Sequence, residues 1–366
     1  MSGSKWKGSS LVIVSIAIVC VGFGVWGFRS FPARGGASQP ATPENVTTGT
    51  PSASPAVGSF DELLQKYGSL PLADAHNHDA SDSKYTSMGN TWKRDAVDRV
   101  VIFGDVSEFS AFRTDAYAWD AYLAKPDFYI PYFSGFDLHA PSSLEMVRNN
   151  LERGYFGLGE VAGASYNSPV VSTVEWKAMD PMDGYLPQIY ELCAEYQAPI
   201  LLHIDPPNGF VIDKLEEALK AHPKTTFIFG HANAYNSPQN IKSLLEKYDN
   251  IYMDFFAGFT LLNPDSGNKL EDFLPVIKQY PDKFMLSTDS GYGLASEHAA
   301  IEAMYRVLDA IGDPVIIKKV AYDNLNDIIR KEPATKTQKE AILKKDPSRD
   351  VANLSKLEAG KLLYAH

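Results

Sequence analysis

Two histidines stand two residues apart in the segment LADAHNHDAS, Leu72–Ser81. They are His76 and His78, and they follow a short apolar run that is typical of a buried β-strand. Because residues i and i+2 of a strand point to the same face, both imidazoles face one side of the sheet. Two imidazoles together are costly to bury without a partner, but they are common ligands of divalent metals. The pair therefore predicts a metal site at the end of the first strand.

Seven further apolar runs follow, and segments with helical periodicity separate them. The eight runs span residues 71–76, 99–105, 128–136, 155–161, 199–205, 226–232, 251–256 and 284–290. Between them, segments such as 182–197 and 237–248 have apolar residues at three-to-four spacing. Eight strands that alternate with helices predict an α/β fold, a (β/α)8 TIM barrel. The alternation of strands and helices by itself also fits an open, doubly wound sheet.

Ionisable residues recur at the carboxyl ends of these runs, which is the end where barrel enzymes build their sites. A parallel barrel would bring them to one mouth, and four imidazoles with two carboxylates suit an ion of the Zn²⁺ type. The predicted metal ligands are His76, His78, Glu160, His203, His231 and Asp289. Asp105 and Asp254 occupy similar positions, and we assign them to hydrogen bonding at the rim.

Each ligand taken alone also has a structural interpretation. A single histidine in a core strand is more often a hydrogen-bonded structural residue, and Glu160 also fits a salt bridge at the barrel rim. The prediction of a metal site depends on the combination, since five different strands would each have to end in a ligand-type residue by chance.

Several motifs resemble the amidohydrolase superfamily of metal-dependent hydrolases, and in particular its amidohydrolase-related branch. The resemblance covers about residues 70 to 330. The motifs are DAHNH, GLGEVAG, PILLHID, HPKTTFIFGHAN, KYDNIYMDFF, LSTDSGYG and AYDNLNDII. The resemblance implies that His76, His78 and Asp289 hold a first metal. It implies that His203 and His231 bind a second metal, or divide between a ligand and a carbonyl-polarising role. Many members have a carboxylated lysine on strand four, whereas this chain has Glu160, as TatD-like members do.

The expected chemistry is hydrolysis by metal-activated hydroxide, because a bound metal lowers the pKa of water to about 7. Asp289 is the predicted proton acceptor and donor, and His231 or the metal would polarise the scissile group. The predicted cofactor is one or two divalent ions, zinc or alternatively manganese. Asp74, Asp205 and Asn324 are the predicted hydrogen-bond partners of the ligands, and His139, Phe256 and Tyr292 are predicted to line the substrate pocket.

The predicted function is hydrolysis of a small ester, lactone, amide or phosphoester. Three alternatives stay open: a one-metal decarboxylase of the same superfamily, a TatD-like nuclease, and a non-catalytic barrel that binds a ligand. No Arg or Lys occurs at the carboxyl ends of the eight apolar runs to clamp a phosphate or carboxylate.

The N-terminal region differs from the rest of the chain in composition. Residues 9–28 are uncharged and almost wholly apolar, which predicts an uncleaved signal anchor within residues 1–35; a cleaved signal peptide is the alternative. Residues 36–58 are rich in Ser, Thr and Pro and predict a flexible linker. The barrel is predicted over 59–333 and a helical extension over 334–366. The catalytic body would then be exported, periplasmic or extracellular, and held at a membrane.

Charge and cysteine content limit the classes of molecule that the chain is expected to bind and the disulfides that it can form. Residues 1–35 hold four of the 34 basic residues and no acidic one, so the rest of the chain has 30 basic against 45 acidic residues, a formal charge of −15. An acidic body argues against nucleic acid as a partner and leaves a small molecule as the expected substrate. Cys193 is the single cysteine after residue 35, so this part forms no intrachain disulfide. The sequence does not indicate an oligomeric state.

Overall fold

The computed structural model describes residues 58–81, 84–206, 209–263 and 266–365. The predicted anchor and all but the last residue of the predicted linker lie outside the described residues. Among the residues that are described, no helix is both long and apolar enough to cross a membrane.

Eight parallel strands form one sheet in consecutive order, as the eight apolar runs predicted. They are β1 (Ala73–Asn77), β2 (Arg99–Ile102), β3 (Tyr129–Phe133), β4 (Gly157–Ser165), β5 (Ile200–Asp205), β6 (Phe227–Phe229), β7 (Ile251–Phe256) and β8 (Phe284–Ser287). The sheet curves until β8 lies beside β1, where the backbone N–H of Thr288 donates to Asp74 at 3.0 Å. The result is a nearly closed (β/α)8 barrel, so the barrel prediction is confirmed and the open sheet is excluded.

Fifteen helices are present in the described part of the chain. Those before β5 are α1 (Phe60–Tyr67), α2 (Lys84–Arg94), α3 (Ala111–Ala124), α4 (Ser142–Arg153) and α5 (Leu186–Tyr196). Those between β5 and β8 are α6 (Phe210–Ala221), α7 (Ala232–Tyr235), α8 (Pro238–Lys247), α9 (Ala257–Leu262) and α10 (Leu270–Gln279). Those after β8 are α11 (Glu297–Ile311), α12 (Pro314–Lys318), α13 (Asn324–Lys331), α14 (Lys336–Lys345) and α15 (Lys356–Tyr364).

Helix α8 shows how the sequence starts an element. Ser237 caps it by accepting a hydrogen bond from the backbone N–H of Asn240 at 3.2 Å, and Pro238 occupies the first helical position. The strands are buried almost throughout, so the centre of the barrel is packed side chains and not a channel.

The two C-terminal helices share a small apolar cluster of their own, which consists of Ala334, Ile342, Ala359 and Leu363, and Leu357 of α15 belongs to the core of the barrel. Fully buried Lys356 of α15 donates to Glu332 at 2.6 Å and to the carbonyl of Tyr155 at 2.7 Å. Tyr155 precedes β4, so this contact lies at the amino end of the barrel. The predicted helical extension is thus attached at the end opposite to the predicted site.

Candidate metal centre

The six predicted ligands converge at the carboxyl end of the barrel. His76 lies in β1 and His78 directly after it, while His231 and Asp289 follow β6 and β8. Glu160 was expected at the end of its strand, but β4 continues to Ser165 because its last residues pair with Ile204 and Asp205 of β5. Glu160 therefore projects from within the strand.

Glu160 lies between two pairs of histidines, and each of its carboxylate oxygens faces one pair. Oε1 is 2.9 Å from Nδ1 of His203 and 2.9 Å from Nε2 of His231. Oε2 is 3.4 Å from Nε2 of His78 and 4.0 Å from Nε2 of His76. Two groups of three side chains could each hold a metal ion, and Glu160 belongs to both.

Asp289 completes the side of the centre that the two β1 histidines form. Its Oδ1 lies 3.5 Å from Nε2 of His76 and 3.5 Å from Nε2 of His78. The carboxyl group also lines the open cavity above the centre, so it has access to a bound ligand.

Two candidate ligands have left-handed backbone conformations. The φ angle is 33° at His231 and 45° at Asp289. This region costs a non-glycine residue of the order of 1 kcal/mol, and such residues cluster at functional sites. At His231 the conformation is fixed by its backbone N–H, which donates to Asp254 at 2.8 Å.

The outer nitrogens of three imidazoles bind groups that accept hydrogen bonds. Nδ1 of His76 bonds Asp254 at 2.7 Å, Nδ1 of His78 donates to the carbonyl of Gly104 at 2.8 Å, and Nε2 of His203 bonds Asp205 at 2.9 Å. Such partners fix the ring orientation and direct the other nitrogen, with its lone pair, toward the centre.

These tautomers suit a cation. Nε2 of His76 and Nε2 of His78 are 2.9 Å apart, and with both outer nitrogens protonated their lone pairs would face each other. Two nitrogens bound to one zinc ion at 2.0–2.1 Å in tetrahedral geometry are separated by about 3.3 Å, so a small movement would accommodate it. Nδ1 of His203 likewise faces the Glu160 carboxylate, and a shared cation or proton makes that contact favourable. The residues present therefore fit a divalent metal.

The ionisation of the centre without metal agrees with this interpretation. Burial lowers the pKa of His76, but Asp254 and Asp289 outweigh it and raise the pKa to about 9. Burial lowers the pKa of His203 too, yet Glu160 and Asp205 raise it to about 9. Burial raises the pKa of Glu160, but the charge and hydrogen bonds of the surrounding histidines hold it well below its usual range. Protons thus occupy the positive role that a metal would take.

A cavity of about 370 Å³ opens above the centre. Its walls are largely apolar and include Val106, Val171, Phe256 and Phe259. Asp105 and Glu108 contribute carboxylates, and in the described part of the chain no Lys or Arg lines it. Such a cavity suits a small ligand with an apolar part and without negative charge.

Of the three predicted pocket residues, the structure places two at the cavity. Phe256 and Tyr292 line it. His139 does not, because it lies in the loop after β3, partly exposed, with Nε2 3.1 Å from Asp183.

Of the three predicted partners of the ligands, Asp205 lies beside an imidazole and the other two do not. Asp74 accepts from Thr288 and from the backbone N–H of His76, so it joins β8 to β1 and does not contact the imidazole ring. Asn324 donates to the carbonyls of Pro281 and Phe284, where β8 begins, at the far end of that strand from Asp289. Asn324 therefore acts on the start of β8 and not on the ligands.

Asp254 is more central to the candidate site than the hydrogen bonding at the rim that the sequence predicts. It is fully buried and connects His76 to the backbone of His231. Its position at the carboxyl end of β7 was the available signal.

A scan against protein-family models and a search of curated proteins both find no match. Solved structures with a similar fold do exist. An uncharacterised TIM-barrel protein from Bordetella bronchiseptica has 14% identity and a TM-score of 0.52, covering 71% of this chain and 98% of that one. A probable 2-pyrone-4,6-dicarboxylic acid hydrolase from Acinetobacter baumannii has 12% identity and a TM-score of 0.50, with coverage of 71% and 99%. The dihydroorotase of Saccharomyces cerevisiae has 15% identity and a TM-score of 0.50, with coverage of 71% and 84%. This chain therefore has the barrel fold of these proteins, which is the fold that its resemblance to the amidohydrolase superfamily implied.

Proposed function

We propose that this protein is a metal-dependent hydrolase of the amidohydrolase superfamily that acts on a small ester, lactone or amide. The observation that carries the proposal is the position of Glu160, whose two oxygens face two separate pairs of histidines. A structural salt bridge needs one partner, whereas this carboxylate lies among four imidazoles, three of which are oriented by hydrogen bonds from outside.

The ligand set divides into two groups that share Glu160. His76, His78 and Glu160, with Asp289 beside them, would hold one ion, and Glu160, His203 and His231 would hold a second. A divalent cation supplies a Lewis acid and lowers the pKa of water to about 7. Which divalent metal is bound is not specified by these ligands, and we propose zinc or manganese.

Asp289 is the residue that the geometry favours for moving the proton. It borders the centre on one side and the cavity on the other, so it can accept a proton from the attacking water and deliver it to the leaving group. Asp254 and Asp205 hold His76 and His203 in the tautomers that turn a lone pair inward. The apolar walls exclude competing water from around the scissile group.

The charges and polarity of the residues that line the cavity favour some of the candidate substrates over others. An acid substrate of a decarboxylase and the phosphates of a nucleic acid both need cationic side chains, and the described residues provide none at this cavity. A neutral ester, lactone or amide with an apolar substituent fits the walls better, and a phosphoester fits less well. Glu160 in the place of the carboxylated lysine resembles TatD-like members, and that branch stays a prediction.

We also propose that the hydrolase is exported and held at a membrane by its N-terminal segment. The uncharged apolar stretch at residues 9–28 and the Ser/Thr/Pro-rich residues 36–58 support this proposal.

The decisive experiment is metal content by elemental analysis of the full chain, purified without chelator. We expect about two ions per chain in the wild type and a sharp fall in Glu160→Ala. Glu108→Ala is the matched control, since it removes a carboxylate from the same cavity without touching either ligand group. Absence of metal after incubation with zinc or manganese would contradict the proposal.

Activity then identifies the reaction class. A panel of neutral esters, lactones, amides and phosphoesters should show metal-dependent hydrolysis that a chelator abolishes. Release of carbon dioxide from an aromatic acid without hydrolysis of any neutral compound would assign the chain to the decarboxylases instead.

A further inference from the structure

Large apolar side chains are exposed around the mouth of the barrel. Six of them lie on the segments after β2, β4 and β8, which are Phe109, Phe112, Tyr166, Val170, Met179 and Tyr292, and each is at least 40% exposed. We refer to these six as the apolar rim. All three segments are on the carboxyl side of the sheet, the side of the candidate metal centre.

Four members of the rim form two contacting pairs. The rings of Phe109 and Phe112 are 5.6 Å apart, and Phe112 is 5.5 Å from the ring of Trp176 beneath it. The hydroxyl of Tyr166 donates to the carbonyl of Met179 at 2.8 Å. Val170 and Tyr292 belong to the wall of the cavity itself, so the rim continues into the site.

A group of exposed apolar side chains around one opening indicates a surface that binds a protein, a membrane or a ligand. Phenylalanine and tyrosine are the residues that enter the boundary between lipid headgroups and acyl chains. The −15 charge of the chain after residue 35 and the carboxylates of Asp105 and Glu108 at the cavity would repel a second copy placed mouth to mouth. The rim therefore favours a neutral lipid surface over a second copy.

The described part of the chain also begins on the mouth side of the barrel. Helix α1 runs alongside α11: Phe60 at its start contacts the rings of His298 and Tyr305 at 5.0 and 5.6 Å, whereas Lys66 at its end bonds Asp309. Helix α11 begins at the mouth, where Glu297 accepts a hydrogen bond from Asn77 of β1. Helix α1 thus runs away from the mouth, and the first described residues of the chain lie on the mouth side.

The sequence of residues 1–58 predicts a tether to a membrane. It contains the apolar stretch at residues 9–28, which is long enough to span a bilayer, and the predicted linker at residues 36–58. If the 23-residue linker is as flexible as its composition predicts, its root-mean-square span would be ~26 Å, which would leave the mouth within reach of the membrane surface.

We propose that the apolar rim docks on the surface of a lipid bilayer, so that the cavity opens toward the lipid. The site would then receive an amphiphile from the bilayer, with its reactive group at the centre and its apolar part along the walls. This second statement rests on the proposed hydrolase function, whereas the docking itself does not.

Depth-dependent quenching tests the docking in the full-length chain. A fluorescent label is attached to Tyr166→Cys or to Val315→Cys, and the protein is reconstituted into phosphatidylcholine bilayers with and without brominated acyl chains. Val315 is the matched control, because it is 67% exposed and lies on α12, after the end of α11 that is distant from the mouth. Cys20 is replaced by serine in both variants, and Cys193 can stay because burial raises the pKa of its thiol.

We expect severalfold stronger quenching at the rim than at the control position. Phe109→Ser combined with Phe112→Ser should reduce the rim signal, since neither residue lines the cavity. Equal quenching at both positions, or at neither, would overturn the docking. The same label is also measured in detergent without lipid. If its exposure to solvent falls as the protein concentration rises, a second copy covers the rim instead.

The amphiphile is tested separately, by comparing hydrolysis of one ester class with short and long acyl chains. The Phe109→Ser and Phe112→Ser double variant should lose activity on the bilayer-borne long ester several-fold and retain it on the soluble short ester. Loss on both esters alike would contradict delivery from the bilayer. Absence of all hydrolysis would refute the proposed function and leave the quenching result intact.

Discussion

The two ends of the barrel each bury a cluster of charged groups. Only one of the two clusters contains a permanent cation to balance its carboxylates. At the amino end, Lys356 and Glu332 are fully buried and bond each other at 2.6 Å. At the carboxyl end, Glu160 and Asp289 lie among four imidazoles, with Asp254 and Asp205 behind two of them. One cluster contains its own permanent cation, and the other contains carboxylates and groups that become cationic only by binding a proton.

The difference distinguishes a structural cluster from a candidate metal centre. Opposite charges that satisfy each other hold two parts of the fold together, here the C-terminal helices and the start of β4. Carboxylates and imidazoles that all point at common positions are incomplete until a cation arrives. Burial alone does not identify a site; the direction in which the buried groups point does.

The largest expected effect tests the carboxyl end. Asp289→Asn should lower kcat by about 10²- to 10⁴-fold, because an amide cannot accept the proton from water. Metal content should change little, since His76, His78 and Glu160 remain. Steady-state kinetics with elemental analysis checks both. Asp105→Asn is the control at the same cavity, and equal kcat in the two variants would remove Asp289 from the chemistry.

The second prediction tests the amino end. Lys356→Met should lower the free energy of unfolding by about 3 kcal/mol, measured by urea denaturation, because Glu332 is left buried without its cation. Burial raises the pKa of Glu332 to about 8 even beside Lys356, so the carboxyl can take a proton, which limits the loss. The pKa of this carboxyl is about 8 in the wild type and would be higher without Lys356, so below pH 8 both proteins keep it protonated and the loss should grow only as pH rises above 8.

The double variant Lys356→Met with Glu332→Leu provides the control for this pair. It should recover most of the stability, since two apolar side chains of similar volume replace both charges. Metal content should be unaffected in either variant. A change in metal content would contradict the separation of the two clusters.

A smaller effect on metal affinity is expected from the carboxylates that hydrogen-bond the candidate ligands. Asp254→Asn should weaken metal affinity about 10- to 100-fold, because His76 loses the carboxylate that fixes its tautomer. Competition with a chelating dye measures the change. Asp205→Asn should act in the same way through His203, on the second group of ligands. Unchanged affinity in both variants would show that these carboxylates do not orient the ligands.

The smallest expected effect, counted for each pH unit, is on the free energy of unfolding of the metal-free protein. The pKa values of His76 and His203 are raised to about 9, so protonation stabilises the fold fully below pH ~6.5 and this contribution disappears as pH rises through 9. The slope is at most about 1.4 kcal/mol per pH unit for each histidine. Thermal unfolding in chelator should show this decline, and saturating metal should remove it. A flat profile in chelator would contradict the protonated centre.

The sequence alone predicted the barrel and the positions of its eight strands. Buried parallel strands are continuous apolar runs, and their period, number and spacing are local properties of the chain. The same pattern placed an ionisable residue at or near the carboxyl end of five strands, which is why the six candidate ligands could be named in advance. The predicted segments before residue 58 lie outside the described residues, so they stay predictions.

The contacts between strands could not be predicted, because they depend on the curvature and register of the sheet. Asp254 binds His76 from 178 residues away, and Asn324 was expected at the ligands but lies where β8 begins. His139 resembles the other histidines in sequence, but its loop turns it toward Asp183. The buried pair of Lys356 and Glu332 gives no sequence signal, since two charges 24 residues apart in a charged tail look like solvent-exposed residues.

The sequence therefore determined which residues are able to bind a metal, because residue type and strand period are properties of short segments of the chain. Only the tertiary structure decided that Glu160 lies between two pairs of histidines, that carboxylates orient the rings from behind, and that apolar side chains surround the mouth. Those relations arise when a nearly closed sheet brings distant strand ends to one point, and no local pattern in the chain encodes that closure.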